Sequence, residues 1–283
     1  MSPTKKLHTG IRWSWKQTKK WISRLLDDIN TSNTMVLAAG ISYFCSLAFF
    51  PLFAVGLAVA SIVIAPHQVV AVVENIYIYL PNDIASLVSS QLEAQSGRYG
   101  GNIVIAVIAI AISLFGASAA VVNTIRSLNV LYKVKETRNI VKMRALSILI
   151  LVCALLLLSA VLLLLVVDRY MVEWGVSALL VEIMIVVRWP LLFVMMVLAF
   201  TALYYYGPNR PRVAWRWVNW GAIAATVIWL LVTLGLFAYT RLFPTFNESY
   251  TLFAGIIVLM IWFNLSALAL LIGGHINQRL HRR

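Results

Sequence analysis

Residues 38–52 read AAGISYFCSLAFFPL, and the fold prediction starts from this stretch. It lies in a segment from Asn33 to Ala65 that contains no charged residue. That segment is longer than the roughly 20 apolar residues that a helix needs to cross a bilayer. Pro51 frees a backbone carbonyl inside it, which protein or water must satisfy because lipid cannot. We therefore expect this first span to be packed inside a helical bundle.

The composition excludes a large water-soluble globule. Of 283 residues, 61% are hydrophobic and 12% are charged, whereas soluble domains are about 25% charged. The formal net charge of +13 would suggest nucleic acid in a less apolar chain. Here the position of the positive charges relative to the apolar runs is more informative. Cys45 and Cys153 both lie inside apolar runs, which argues against a disulfide framework or a metal site.

Six apolar runs are each long enough to span a membrane. They cover residues 35–65, 103–124, 145–167, 183–206, 217–240 and 252–274. Nineteen lysines and arginines lie before the first run, after the second and fourth runs and in the C-terminal tail, against three in the other connections. Positive charge favours the cytoplasmic side. The pattern predicts an all-α, polytopic protein of the cytoplasmic membrane with six transmembrane helices and both termini in the cytoplasm.

The segments outside the spans differ in their predicted structure and location. Residues 1–34 are basic, with apolar residues at helical spacing, which predicts a short amphipathic helix on an anionic membrane face. A disordered basic arm is the alternative. Residues 66–102 predict two amphipathic helices on the outer surface of the bundle. Residues 35–274 would form the transmembrane domain and residues 275–283 a basic cytoplasmic tail, while the second span should continue as one helix to Tyr132.

Polar and helix-breaking residues inside the spans are the candidates for a ligand site. Arg188 either extends its side chain to the outer headgroups or forms an interior cation that attracts an anionic substrate. Pro51 and Pro190 interrupt the first and fourth spans, as in transporters built from inverted repeats, although apolar segments also resemble each other by composition alone. The full set is Ser42, Tyr43, Ser46, Pro51, Arg188, Pro190 and Asn264.

Hydroxyl and amide side chains inside the spans can be interpreted in more than one way. Ser42, Tyr43 and Ser46 fall on one face of the first helix by helical spacing. Such hydroxyls most often bond back to their own backbone or pack between helices, and a water-lined path is the alternative. Asn264 and Asn123 should form hydrogen bonds across helices, because an unpaired amide is costly in an apolar environment.

The cytoplasmic face should carry a contact with lipid. Arg126, Asn129, Tyr132 and Arg210 are predicted to contact phosphate headgroups there. His275, at the inner boundary of the membrane, is expected to be exposed. Anionic membrane lipids are therefore the expected partners, and the basic segments would bind nucleic acid only weakly and nonspecifically. Nothing in the sequence indicates an oligomeric state.

Enzymatic chemistry finds no support in the residues. The four histidines share no metal-ligand spacing, and the chain has neither a Gly-rich phosphate loop nor a nucleophile elbow. We predict no metal, no cofactor and no enzymatic activity.

Several short motifs stand in order between Ala38 and Asn277. They are Ala38 to Phe44, Ser46-Leu47, Phe50-Pro51-Leu52, Leu128-Asn129, Tyr132, Pro208-Asn209-Arg210, Trp215-Arg216, Gly221-Ala222, Phe246-Asn247, Tyr250, Trp262, Leu271, Gly273-Gly274 and Asn277. Together they resemble the YihY/BrkB family of bacterial inner-membrane proteins, once labelled ribonuclease BN. The resemblance implies six transmembrane helices, both ends in the cytoplasm and a transporter-like role without a settled substrate.

The chain departs from the family pattern at two positions. Thr251 stands where the family commonly has glycine, and His275 stands where it commonly has glutamate. If that acid carries a transported proton or cation, this chain lacks the step or performs it with an imidazole.

These observations predict a transporter or permease-like protein whose cargo is an anionic or amphiphilic small molecule or a lipid. The alternative is a non-transporting membrane scaffold, which organises envelope components through its outer helices and basic inner face.

Overall fold

The computed structural model describes residues 15–63, 103–210, 219–242 and 251–281. Within these ranges the regular structure is entirely helical, which confirms the all-α prediction for this part of the chain. The helices are α1 (Trp15–Thr31), α2 (Thr34–Val63), α3 (Ile103–Tyr132), α4 (Ile140–Glu173), α5 (Ala178–Tyr206), α6 (Trp220–Leu242) and α7 (Thr251–His281).

Five described helices are long and apolar enough to cross a membrane. The qualifying segments are Ser113–Tyr132, Ile140–Leu165, Ala178–Tyr206, Trp220–Leu242 and Gly255–Leu280. A sixth candidate is formed by α1 and α2 together, which meet at a bend of 57°. Five to six candidate spans agree with a polytopic membrane protein. The number six and the orientation of the termini stay predictions.

The bend between α1 and α2 has a local cause. Asn33 adopts a φ of 50°, a left-handed conformation that asparagine tolerates better than most residues. The hydroxyls of Thr31 and Ser32 donate to the carbonyls of Asp27 (2.8 Å) and Asp28 (2.6 Å), which satisfies the last turn of α1. The helix predicted in residues 1–34 is thus present as α1, whereas its place on a membrane surface stays a prediction.

Two other predicted features extend beyond the described residues. The predicted outer helices of residues 66–102 lie entirely outside them. Pro51 falls within the range of α2, but its side chain is also outside the described part. The predicted continuation of the second span to Tyr132 is confirmed, because α3 ends at that residue.

Helix α7 occupies the centre of the described bundle. It packs against α6, α2, α3 and α1, and α2 also packs along α3. Helix α4 is more peripheral, since it packs against α3 and α5. Helix α5 packs against α4 and α6 and reaches α7 through Tyr204.

A close helix crossing joins α6 to α7 through two glycines. A Cβ added to Gly273 would lie 2.5 Å from the carbonyl oxygen of Gly221 and 2.6 Å from the Cβ of Ala225. Small residues let membrane helices approach in this way. The crossing positions the last third of α7 against the start of α6.

Segments rich in lysine and arginine gather at one end of the bundle. We call this end, formed by residues 24–38, 126–139, 204–210 and 271–281, the basic end. Its core is a buried cluster drawn from five helices: Ala38, Ile41, Leu128, Leu131, Tyr132, Val197, Phe200, Tyr204, Ala222, Ala225, Ala267 and Leu271. The segments predicted to share one side of the membrane therefore share one end of the bundle.

Candidate functional site

The hydroxyl face predicted on α2 is only partly buried. Ser42 and Ser46 are buried, and their hydroxyls donate to the carbonyls of Ala39 (2.9 Å) and Ser42 (2.8 Å) in the same helix. Tyr43 is 57% exposed. The prediction of one shared face is wrong for Tyr43, because adjacent residues are about 100° apart around a helix and residues four apart nearly coincide. The local bonding of both serines agrees with the backbone interpretation of these hydroxyls.

Interhelical polar contacts follow α7 through the bundle. Asn264 Nδ2 donates to Ser42 Oγ across the α2–α7 contact (3.4 Å), as predicted. Trp229 Nε1 donates to Ser266 Oγ, and Trp262 Nε1 donates to Thr233 Oγ1, both at 3.1 Å. We call these three contacts the α7 seam.

Asn123 behaves differently from Asn264. Its Nδ2 donates to the carbonyl of Ala119 in α3 itself (3.0 Å). The interhelical bond predicted for Asn123 is therefore wrong, because the carbonyl four residues earlier lies within reach of a short polar side chain.

Arg188 lies inside the bundle at the end opposite the basic end. Its residue is 8% exposed, and its guanidinium carbon is 5.5 Å from the ring centroid of Trp189. Trp189 and Tyr206 are themselves exposed and stand seventeen positions apart on α5. That separation is about 26 Å at the helical rise, close to the thickness of roughly 30 Å between the two aromatic belts of a bilayer. If α5 crosses a bilayer, this separation would place Arg188 at the level of one aromatic belt.

Arg188 and the core of the basic end lie on different faces of α5. Arg188 and Tyr204 are sixteen positions apart, which is about 160° around an ideal helix. Tyr204 belongs to the core of the basic end, together with Ala38 and Ile41 beside the α2 serines, and its hydroxyl donates to the carbonyl of Leu270 (2.6 Å). Arg188 therefore leaves α5 on a different face. Pro190 is exposed, and α5 continues through it.

Asn129 and Tyr132 are buried, with exposures of 4% and 8%. Asn129 Nδ2 donates to Glu136 Oε2 (2.7 Å), and its Oδ1 accepts from the backbone N–H of Asn209 (2.8 Å). The Tyr132 hydroxyl accepts from Asn277 Nδ2 (2.8 Å). The expected headgroup contact is wrong for these two residues, because the connection after α5 and the end of α7 enclose the end of α3.

The two arginines of the expected headgroup contact differ from each other. Arg210 Nη2 donates to the carbonyl of Tyr204 (3.0 Å), and its guanidinium carbon lies 4.6 Å from the Tyr132 ring centroid. These contacts give Arg210 a structural role in the basic end. Arg126 is exposed on α3, where it is open to a headgroup.

A clamp on the end of α5 was not foreseen from the sequence. Arg138 donates to the carbonyls of Gly207 (2.9 Å) and Pro208 (3.2 Å), and Asn209 Nδ2 donates to Thr137 Oγ1 (2.8 Å) and the carbonyl of Lys135 (2.9 Å). A cation near the last carbonyls of a helix satisfies them and complements the helix dipole. The available signal was that Asn129 and Asn209 both belong to the motifs quoted above.

His275 is 2% exposed, so the expectation of an exposed histidine is wrong. Its Nε2 lies 2.9 Å from Thr34 Oγ1 and 3.1 Å from Ser32 Oγ, and therefore contacts both sides of the α1–α2 bend. One turn later, Arg279 Nε donates to Asp28 Oδ2 (2.7 Å), and Arg279 Nη2 also donates to the carbonyl of Arg24. These contacts join α1 to α7. The sequence did not predict these contacts, because the partners are as many as 255 positions apart.

The polar contacts described above are hydrogen bonds and contacts of charged side chains. Among residues 15–63, 103–210, 219–242 and 251–281, the structure places no group of three or more histidine, cysteine or acidic side chains in position to hold a metal ion.

A family model and several known proteins match this chain. The family model described as Virulence factor BrkB matches residues 25–283. The chain is 32% identical to the putative ribonuclease-like protein YfkH of Bacillus subtilis over 253 residues, which cover 87% of this chain and 90% of that protein. A UPF0761 membrane protein of Vibrio cholerae is 34% identical over 34% of this chain and 32% of its own length. A UPF0761 membrane protein of Nitrosospira multiformis is 38% identical over 27% and 18%. No solved structure matches significantly.

Proposed function

This chain belongs to the Virulence factor BrkB family, and from that premise we propose that it is a permease-like protein of the bacterial cytoplasmic membrane. Its cargo would be an anionic or amphiphilic small molecule or a lipid. Both termini would lie in the cytoplasm with the basic end, in agreement with the distribution of lysine and arginine.

The buried Arg188 carries this proposal. A charged side chain inside a membrane helix is costly, and such residues usually face the interior of a bundle or a water-filled path. Arg188 is 8% exposed within the candidate span Ala178–Tyr206. Its level beside the exposed Trp189 would place positive potential just inside the membrane surface opposite the basic end, where an anion would enter or leave.

Reconstitution into liposomes tests the transport role. We expect the wild-type protein to move a fluorescent phosphatidylglycerol analogue or a small organic anion above protein-free vesicles. Arg188→Ala should lower the rate about tenfold, since each factor of ten corresponds to about 1.4 kcal/mol of transition-state stabilisation. Arg188→Lys should keep part of the rate because it keeps the charge.

Arg241→Ala is the matched control. Arg241 is exposed near the end of α6, with its guanidinium carbon 5.1 Å from the Phe237 ring centroid. Its removal should change the rate less than twofold. Equal losses of transport rate in both variants would show that Arg188 has no specific role. A wild-type protein that moves neither probe would refute transport.

A membrane scaffold is the second candidate. In its favour, the Ser42 and Ser46 hydroxyls bond to their own helix, and the α7 seam pairs Trp229 and Trp262 with Ser266 and Thr233. These described polar groups are thus satisfied by protein rather than by a solvated path. A scaffold would incorporate into the same liposomes and move no probe.

We also propose that the basic end contacts anionic headgroups through exposed side chains such as Arg126, and that the protein has no enzymatic activity and no specific affinity for nucleic acid. Positive charge near a membrane surface favours anionic lipid. The ribonuclease-like name of the Bacillus subtilis relative suggests the opposite view, that proteins of this kind cleave RNA. Purified protein should leave RNA intact, and reproducible cleavage that copurifies with the monodisperse protein would overturn this part of the proposal.

A further inference from the structure

Two buried polar atoms near the end of α7 have no hydrogen-bond partner among the described residues. They are His275 Nδ1 and Gln278 Nε2, on residues that are 2% and 5% exposed. Buried polar groups in folded proteins are nearly always paired, because an unpaired one has lost its water without compensation. Such a pair of atoms points to an occupant that the protein chain itself does not supply.

The two atoms belong to neighbouring side chains of α7. His275 and Gln278 are three positions apart, so they are neighbours on one face of α7. Side chains on a helix lean towards its N-terminus, and this brings the Gln278 amide back over the turn that carries His275. The occupant would therefore contact both side chains together.

Two neighbouring elements flank this turn of α7. On one side stands the α1–α2 bend, where Ser32 and Thr34 contact His275 Nε2. On the other side the end of α3 packs beside Gly274 through Leu128 and Leu131. Helix α7 lies between them.

An exposed lysine lies near this part of α7. Lys133 follows α3 with a φ of 55°, its side chain is exposed, and it lies close enough to His275 to interact with it electrostatically. Asp28 and Arg279 also act on His275, but they pair with each other at 2.6 Å. Of these three described charges, Lys133 is therefore the positive one without a counter-charge in this group.

The hydrogen-bonding capacity of these groups selects the occupant. The Gln278 amide nitrogen is a donor only, and His275 Nδ1 carries a proton whenever Nε2 accepts from the Thr34 hydroxyl. Two donors on α7 and a nearby ammonium fit a group with several acceptor oxygens. We propose that His275 and Gln278, between the α1–α2 bend and the end of α3, bind a phosphate-type oxyanion, supplied by a lipid headgroup or by free phosphate.

Binding to delipidated protein in detergent tests the site with two probes. Native mass spectrometry compares retention of phosphatidylglycerol with that of phosphatidylcholine, and titration calorimetry measures the affinity for inorganic phosphate. Gln278→Leu removes the amide donor. His275→Gln keeps an amide near the position of Nε2, for Ser32 and Thr34, but removes Nδ1. Each should weaken binding about tenfold, the usual effect of losing one hydrogen bond to a charged ligand.

Lys142→Ala is the matched control. Lys142 is an exposed cation near the start of α4, and its removal should change either affinity less than twofold. Lys133→Ala should weaken binding about threefold, since an exposed ammonium contributes little in water. Retention of phosphatidylglycerol without phosphate binding assigns the site to a lipid headgroup, and the reverse assigns it to the free ion.

Three outcomes overturn the proposal. They are wild-type protein that binds neither probe above the phosphatidylcholine level, Gln278→Leu protein that binds as the wild type does, and a solved structure with only a water between His275 and Gln278. If Gln278→Leu fails to fold, Gln278→Glu keeps the size and adds a repelling charge, so unchanged binding by that variant also refutes the site. The measurement uses solubilised protein and is independent of Arg188 and of transport.

Discussion

Helices α3 and α4 are neighbours of similar length, but they differ in how much of each helix is buried in the bundle. Half of the candidate span in α3 is buried, against 6% of that in α4. Leu128 on α3 is fully buried, whereas Leu156 on α4 is 65% exposed. The more apolar helix is thus the more exposed one.

The contrast between α3 and α4 is the one expected of helices surrounded by lipid. In water, burial of leucine drives helices together. In a bilayer, lipid chains solvate leucine as well as protein does, so small and polar residues distinguish the interior. On α3 the buried positions include Ser113, Ala117, Ser118 and Ala120. Side-chain substitutions should therefore have large effects at the buried positions of α3 and α7 and small effects on α4.

The largest effect should come from the leucines themselves. Leu128→Ala removes a fully buried side chain from the core of the basic end and should lower the free energy of unfolding by about 2–5 kcal/mol. Leu156→Ala on the exposed face of α4 should cost less than about 0.5 kcal/mol. Thermal unfolding in one detergent measures both. Similar losses in the two variants would mean that α4 has a protein partner in place of lipid.

The glycine crossing gives the next largest effect. Gly273→Ala places a Cβ 2.5 Å from the Gly221 carbonyl oxygen and the Tyr204 hydroxyl oxygen, and such overpacking should cost about 1–3 kcal/mol. Gly235→Ala on α6 has open space around the added Cβ and should be neutral or slightly stabilising. The yield of monodisperse protein and its melting temperature report the difference. An unchanged Gly273→Ala protein would contradict the close crossing.

A smaller effect is expected at the clamp on α5. Arg138→Ala removes the donors to Gly207 and Pro208 and should cost roughly 1–2 kcal/mol, since hydrogen bonds from a partly exposed cation are weakened by solvent. Hydrogen exchange of residues 203–210 should rise in that variant. Lys135→Ala, whose exposed side chain lies in the same connection, is the control and should leave the exchange unchanged. Faster exchange in both variants would point to a general loosening of the connection.

Much of the architecture could be read from the chain because it depends on one-dimensional patterns. The apolar runs predicted helices, and α3 ends at Tyr132 as expected. The cost of an unpaired amide predicted the bond from Asn264 to Ser42. Grouping by charge brought together the segments that meet at the basic end, although the cytoplasmic orientation of that end stays a prediction.

The contacts of the basic end were harder to foresee. Asn129, Tyr132 and His275 stand in basic, polar surroundings along the chain, which favoured an exposed position for all three. In the structure they are enclosed by segments far away in sequence, such as Asn209, Asn277 and Thr34. Side-chain burial depends on what packs against a residue, and local composition carries no information about a partner that is 241 positions away.

Helical structure, apolar character and charge asymmetry could be read from the linear chain, because they depend on hydrophobic length and on the distribution of lysine and arginine. Three features became apparent only in the folded protein: the burial of Arg188, the contact of His275 with both sides of the α1–α2 bend, and the exposure of α4 beside α3. Those outcomes depend on the rotation of each helix about its axis and on which helix stands beside it. Packing between distant segments sets both.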